Sequence, residues 1–399
     1  MEKLAIFGGK PVRDTYLAYG RQYIDDDDVR AVADVLRSDF LTCGPKVTEL
    51  ESALCKLAGA QYATVVSNGT AALHVACLAA GIGPGDEVVV PPITFAATAN
   101  SVLYCGGTPV FADIDIDTWQ LSVNEAEKAI TNKTKAIITV DYTGQTGELI
   151  RLKQLCEKYN LTMIEDAAHS IGTTYMQKPV GSIADLTTFS FHPVKTVTSG
   201  EGGAVLTNSA DMKQKLELFA KHGITRNSDL IHDHSNSNWY YEELLLGYNY
   251  RLTDIQCALL ISQLQKLPDF ATRRAEITNQ YNEAFSGMDE LTLQKPTDGC
   301  VPVRHLYVIR LNTAKLSAGR KEVYDALQAE NIGVNVHYIP TYHFPYYREN
   351  GYADIFLKNT EALYAEMITL PLYYAMTDRD AADVIAAVKK VLRYYKREV

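Results

Sequence analysis

The sequence predicts an α/β fold: a mostly parallel central sheet wrapped by helices, followed by a smaller α+β C-terminal domain. Three observations lead there. From Tyr23 onward, short β-branched runs alternate with helical stretches whose apolar residues recur every three or four positions. The polar residues able to do chemistry stand directly after the short runs, where an open parallel sheet gathers its ligands. Past Tyr250 the alternation stops and long helices take over.

Taken in order, Asp25-Asp26-Asp27-Asp28 reads as a solvated helix start, its carboxylates near the positive end of the helix dipole. Helices are expected over 29–38 and 48–57. Tyr62 to Val66 is a strand that runs through Ser67-Asn68-Gly69-Thr70 into an Ala-rich helix ending near Ala80. Strand, small polar turn and helix aim free backbone N–H groups at an anion, usually a phosphate, although plain connecting turns share the pattern. Gly81-Ile82-Gly83-Pro84-Gly85 has the spelling of a dinucleotide loop but follows a helix and contains a proline, so it reads as a turn. Strands follow at 87–90, 109–112, 136–140 and 161–164, with helices over 96–105 and 150–159.

Glu165-Asp166-Ala167-Ala168-His169 then places an acid and a histidine at a strand exit. Asp166 reads either as a helix cap or as a carboxylate able to bond a protonated ring nitrogen. The next strand, 187–191, breaks at His192-Pro193 and delivers Lys195 into a segment of Thr, Ser and Gly. A lysine sunk in a pocket loses its proton readily and attacks carbonyls, whereas a random lysine on a loop is solvated. A strand at 203–207 and a helix at 209–220 complete this half.

An acid after one strand, a lysine after the next and a phosphate-type turn upstream together match what pyridoxal phosphate needs. Lysine bonds the cofactor's carbonyl carbon, a carboxylate keeps its pyridine nitrogen protonated, and a helix N-terminus holds the phosphate. The combination points to a fold-type-I pyridoxal phosphate enzyme. Two other classes stay open: a pyridoxal phosphate regulator or carrier without turnover, and an α/β nucleotide-binding protein that uses no such cofactor. The first needs an added recognition module, and no basic or helix-turn-helix segment stands outside the two domains.

The division is expected at 1–250, a large cofactor domain with an N-terminal helical segment, and 251–399, a linker helix with a smaller domain. Thr253 caps a helix that Pro268 interrupts and that resumes to about Phe285. Strands are expected over 305–311 and 333–338 and helices over 321–330 and 381–395, the last opened by Thr377 and Asp380 in capping-box spacing. The aromatic stretch from Val336 to Tyr347 reads as a substrate-stacking surface or as a proline-stiffened surface loop or dimer contact.

Composition narrows the partners. The 399 residues carry a net charge of −10 with no basic stripe, which argues against nucleic acid. Seven scattered cysteines without a CxxC pair suggest neither zinc nor a disulfide framework, and point to a reducing cytosol. No metal is expected, and His232 with His234 lacks further ligands and reads as part of a flexible excursion before Trp239. The charge-free run from Val88 to Tyr104 is broken by Pro91-Pro92, threonines and Asn100, and residues 1–20 have no apolar leader core, so neither a membrane span nor a signal peptide is expected.

Four segments together carry a family resemblance: Ser67-Asn68-Gly69-Thr70-Ala71-Ala72-Leu73, Glu165-Asp166-Ala167-Ala168-His169, Phe189-Ser190-Phe191-His192 with Lys195 and Glu201-Gly202-Gly203, and Gly247-Tyr248-Asn249-Tyr250-Arg251-Leu252-Thr253-Asp254. From about Tyr23 to the C-terminus the chain resembles the DegT/StrS nucleotide-sugar aminotransferases. Through Trp239-Tyr240-Tyr241-Glu242, Ile255-Gln256 and Val336-His337-Tyr338-Ile339-Pro340 it is most similar to the branch serving pseudaminic acid biosynthesis.

The resemblance implies that Lys195 is the Schiff-base lysine, Asp166 the partner of the pyridine nitrogen, and Gly69, Thr70 and Ser190 the phosphate cradle. Phe95 would stack on the cofactor ring, though by residue type it also reads as core. His169 stands where many relatives carry glutamine and would reach the ring oxygen, since neutral imidazole also donates. Asn249 would come from the neighbouring subunit to the phosphate, implying a homodimer with shared sites, and Arg251, His337 and Tyr338 would touch substrate. His192, three residues before Lys195, would serve packing or orientation. Lysine rather than histidine at position 195 implies amino transfer rather than sugar dehydration. The reaction implied moves an amino group from L-glutamate to the C4 keto carbon of a UDP-linked 4-keto-6-deoxy-N-acetylhexosamine. Bacillosamine, perosamine and aminoarabinose enzymes share these core motifs, so other keto nucleotide sugars stay open.

Overall fold

The computed structural model describes residues 2–234 and 237–397. Seven strands form the central sheet in the order Tyr62–Val66, Gly203–Thr207, Leu186–Ser190, Thr162–Asp166, Thr134–Val140, Glu87–Val90 and Thr108–Phe111. Gly203–Thr207 runs antiparallel to both of its neighbours, and the remaining neighbours pair in parallel. Successive side chains alternate between faces, so the two sides acquire separate cores. Val88, Val90, Ala136, Ile138, Ile164 and Leu186 pack against Ala72, Val75 and Ala76 of helix Gly69–Ala79. Val89, Ile137 and Met163 pack instead against Leu149, Leu152 and Cys156.

Helix Gly69–Ala79 is buried almost all round, which its alanines permit by letting the sheet and neighbouring helices approach closely. Its first turn fixes one wall of the site. The Asn68 carboxamide caps it by accepting from Ala71 N–H at 2.8 Å. The antiparallel strand presses on the same point, because a Cβ on Gly203 would lie 2.3 Å from the Asn68 carbonyl oxygen.

A second, three-stranded antiparallel sheet joins Leu291–Leu293, Tyr307–Leu311 and Met367–Leu370. It packs with Val384, Val388, Val391 and Leu392 of helix Asp378–Tyr395 and with Ile277 and Tyr281 of helix Leu267–Phe285. Leu4 and Leu17 are buried in this same core. The Thr377–Asp380 capping box forms, and Lys266 separates helix Asp254–Gln265 from the helix carrying Pro268 near its start.

Three expectations are corrected. Residues 333–338 form no strand: Leu17 exchanges backbone bonds with Asn331 and Gly333, and beyond an isolated bridge from Asn335 to Thr369 the segment leaves the sheet. Met367–Leu370, a fully buried run without alternation, takes that place. The acidic run is not simply solvated. Asp25 caps its helix, while Asp28 is 1% exposed and bonded to Lys266 at 2.9 Å and Gln263 at 2.7 Å. Tyr342 and Tyr347 are neither surface loop nor substrate contact; both are buried against Phe111 in the core of the large sheet.

Among the described residues no helix is long and apolar enough to cross a membrane, and no cluster of His, Cys, Asp and Glu is arranged to hold a metal. His232 is bonded through Nδ1 to Glu242 at 2.7 Å; the adjoining Ser235 and Asn236, part of the expected excursion, lie outside the described residues.

Gly203→Ala should lower stability by about 1–3 kcal/mol, the range for forcing a methyl into a filled site. Equilibrium denaturation in urea measures this, and an unchanged midpoint would show that the Asn68 turn yields freely.

Candidate active site

At the carboxyl ends of the parallel strands lies a cavity of about 820 Å³ lined by residues from both sheets' connections and from the N-terminal segment. Gly69, Thr70, Phe95, Asp166, His169, Ser190, Lys195, His337 and Tyr338, separated in sequence by up to 269 positions, meet there.

Lys195 sits in a turn closed by its own N–H donating to the His192 carbonyl at 2.9 Å. Its amine is sunk in protein, and burial pulls its pKa down from 10.5 to about 8 against the opposing attraction of Asp166. Asp166 is the last residue of its strand and 5% exposed. Burial raises its pKa, while bonds from Thr98 Oγ1 at 2.7 Å and Ala168 N–H at 3.2 Å, and the charge of Lys195, oppose the rise. Thr94, just before helix Ala97–Tyr104, and Thr98 in its first turn are linked at 2.7 Å, so the pair fixes the carboxylate's direction.

The alternation of the strand sends Glu165 to the opposite face. There it accepts from Thr187 at 2.8 Å and faces Asp141, which accepts from Ser170 at 2.5 Å. Burial lifts Glu165 to about 7, and burial plus the charge of Glu165 lifts Asp141, so both acids behind the site are pushed toward their neutral forms.

Gly69 and Thr70 begin their helix, where backbone N–H groups have no intrahelical acceptor. A Cβ on Gly69 would meet Ser190 Cβ at 2.8 Å, so glycine lets the helix start rest on the strand that leads to Lys195. Phe95 is 61% exposed and meets Tyr338 edge to face at 6.2 Å, which excludes the core reading. His192 is exposed on the cavity wall, which excludes the packing role among the two expected of it.

His169 bonds Tyr338 OH through Nε2 at 3.0 Å, and its buried Nδ1 has no partner among the described residues. Its ring lies 4.6 Å from that of His305. Burial and the charge of Lys195 push His169, His305 and His337 down, His337 to about 4, so all three are neutral at pH 7. His337 Nδ1 is 3.0 Å from Thr369 Oγ1, and its carbonyl accepts from Tyr142 OH.

Asn249 is exposed and Arg251 half-buried, and neither lines this cavity within the single chain. Sequence reasoning missed Tyr19, whose ring is 5.4 Å from His337, and Thr98, His305 and Tyr250. Only the Thr94–Thr98 spacing left a readable trace.

Known proteins agree with this geometry. The model of the DegT/DnrJ/EryC1/StrS aminotransferase family matches residues 22–389. Helicobacter pylori PseC, an aminotransferase involved in the biosynthesis of pseudoaminic acid, is 32% identical with a TM-score of 0.88, over 96% of this chain and 100% of that one. Streptococcus pneumoniae Spr1654 in its PLP form, a sugar aminotransferase by description, is 31% identical with a TM-score of 0.87 over 95% and 99%. DesI, solved in the presence of its TDP-sugar product, is 28% identical with a TM-score of 0.87 over 98% and 97%. With the family matched over nearly its whole length, the chain belongs to the DegT/DnrJ/EryC1/StrS aminotransferases and is a transaminase dependent on pyridoxal 5′-phosphate.

Proposed function

We propose that this transaminase moves an amino group from L-glutamate to the C4 keto carbon of a UDP-linked 4-keto-6-deoxy-N-acetylhexosamine, giving a 4-amino sugar of the pseudaminic acid type. The carrying observation is Lys195, its ammonium disfavoured by burial, beside Asp166 and the Gly69 helix start in one cavity. Likeness to PseC supports the sugar, and likeness to DesI keeps other nucleotide sugars as the second reading.

The residues fit the cofactor: a poised amine, a buried carboxylate held by two donors, a helix start at Gly69 and Thr70, and an exposed phenyl face. When bound, pyridoxal phosphate supplies a carbonyl carbon that condenses with amines and a protonated ring that takes up carbanion electrons. In this reading the Asp166 carboxylate would hold the ring N–H, and Thr98 and Ala168 hold Asp166 through its Oδ2 and Oδ1. Backbone N–H groups of Gly69 and Thr70, with Ser190, would hold the phosphate, Phe95 would cover the ring and His169 would bond its oxygen; all five line the cavity. Lys195 Nζ, neutral for an appreciable fraction near pH 7.5, would take the α-proton of the donor, and in the reverse sense would supply the proton needed when the sugar accepts the amino group. His337 and Tyr338 contact the sugar nucleotide.

Asn249 and Arg251 reach a site only across a homodimer, which their position outside their own cavity supports. The units we assign are 1–250 for the cofactor and 251–399 for the smaller domain, with Leu4 and Leu17 docked on the latter. We place the enzyme in the cytosol, in keeping with seven free cysteines.

Incubation with L-glutamate and a panel of 4-keto nucleotide sugars, with products identified by mass and NMR, should show amination at C4 of the UDP-N-acetyl sugar; amination of only a GDP sugar, or at C3, overturns the substrate. Lys195→Ala should reduce turnover about 10³-fold or more, and appreciable transamination by this variant would sink the catalytic assignment. In the apoprotein, the Lys195 amine should titrate near pH 8, and Asp166→Asn should move the midpoint lower because the carboxylate favours the ammonium. The folded pKa lies below the unfolded 10.5, so the buried ammonium weakens the apoprotein below pH 8 and the weakening is relieved as pH rises from 8 toward 10.5. NMR of lysine labelled at Cε reads the midpoint directly; one near 10.5 would contradict it.

A further inference from the structure

Helices Gly69–Ala79 and Ala97–Tyr104 pack on each other in one core of the large sheet. His74 and Cys77, three residues apart, share a face of the first helix, and Ser101 and Cys105, four apart, share a face at the end of the second. The two faces meet. The fully buried Cys77 thiol donates to Ser101 Oγ at 3.4 Å, and Ser101 in turn donates to the Thr98 carbonyl at 2.8 Å. Cys77 also bonds the Cys105 sulfur, and Cys105 lies against the His74 imidazole. His74 is itself held in place, its Nδ1 3.1 Å from Tyr250 OH and its ring edge-on to Tyr104 at 5.5 Å. Its Nε2 is buried and bonds no oxygen or nitrogen among the described residues.

These contacts give the two thiols opposite characters. The bond to Cys105, together with burial, keeps Cys77 protonated. That same bond and the His74 imidazole hold Cys105 below the usual thiol range, against its partial burial. Cys105 is half-buried at the end of its helix, within reach of a small solute, while Cys77 is shut away. An accessible, readily ionised sulfur touching a protonated thiol is the arrangement of a reactive cysteine and its resolving partner.

We propose that Cys105, Cys77 and His74 form a peroxide-reactive thiol site, in which Cys105 reduces hydrogen peroxide beside His74 and Cys77 then closes a disulfide between the two helices. The Cys105 thiolate attacks a peroxide oxygen, the O–O bond breaks and hydroxide leaves, so Cys105 becomes a sulfenic acid. The Cys77 sulfur next attacks the Cys105 sulfur; the S–O bond breaks and the departing hydroxyl leaves as water with the Cys77 proton. In all, two thiols give up two electrons and two protons, and one peroxide becomes two waters. The new bond ties the helix that begins with Gly69 and Thr70 to the helix whose Thr98 holds Asp166, and so restrains two walls of the catalytic cavity together.

The test is peptide mass spectrometry of the cofactor-saturated enzyme treated with hydrogen peroxide at pH 7, quenched with iodoacetamide and digested without reductant. Wild type should yield peptides linked through Cys77 and Cys105, separated again by dithiothreitol. Cys77→Ser should leave Cys105 as a sulfenic acid that dimedone traps. His74→Phe, which keeps a ring in place and removes the imidazole, should slow oxidation of Cys105 about tenfold, the loss of thiolate expected for a thiol returned to its ordinary range. Oxidation of the exposed Cys43 without the Cys77–Cys105 link in wild type overturns the proposal, as does an unslowed His74→Phe. If His74→Phe does not fold, trapping in Cys77→Ser decides: dimedone on Cys105 supports the site, and dimedone on Cys43 alone removes it. No readout depends on turnover, so the sugar assignment stands or falls separately.

Discussion

Everything at the catalytic cavity depends on holding a lysine and an aspartate close together away from water. Burial alone would neutralise both, lowering Lys195 and raising Asp166, and each is pulled back toward its charged form by the other. The result is an amine near its midpoint at physiological pH, which neither full burial nor full solvation would provide. The surroundings protect that balance by adding no competing charge: three imidazoles around the lysine are all neutral. The upward shifts of Asp141 and Glu165 likewise reduce the negative charge that would otherwise press on Asp166 from behind.

The sheet converts this requirement into geometry. Parallel strands bring Gly69, Asp166 and Ser190 to one edge from three separate segments, and the antiparallel strand Gly203–Thr207 lets the chain turn back immediately after Lys195. Because Gly203 abuts Asn68 and Gly69 abuts Ser190, the phosphate-type turn and the lysine turn are packed on each other rather than placed independently.

What the sequence made legible was therefore whatever the strands deliver by themselves. Asp166, Lys195 and the Gly69 turn follow short β-branched runs, and local pattern suffices to place them. Tyr19, Thr98 and His305 were not legible, because each matters only through a neighbour distant in the chain: His337, Asp166 and His169. The misplaced strand at 333–338 has the same origin, since its first backbone groups are taken by Leu17, some three hundred residues earlier. Tyr342 and Tyr347 misled for a related reason: a stretch rich in aromatic residues and prolines carries two binding residues at one end and two core residues at the other.

The meeting of the two ends of the chain over the cavity has a consequence for biogenesis. Tyr19 contacts His337, and His337 and Tyr338 help enclose Lys195. A nascent chain that has already formed the large sheet, but has yet to emit the segment near residue 337, leaves that lysine bathed in water, where it is an ordinary protonated amine. Its reactivity is thus acquired only once the segment near residue 337 has docked, and a chain that lacks that segment presents no activated amine to the aldehydes of the cell.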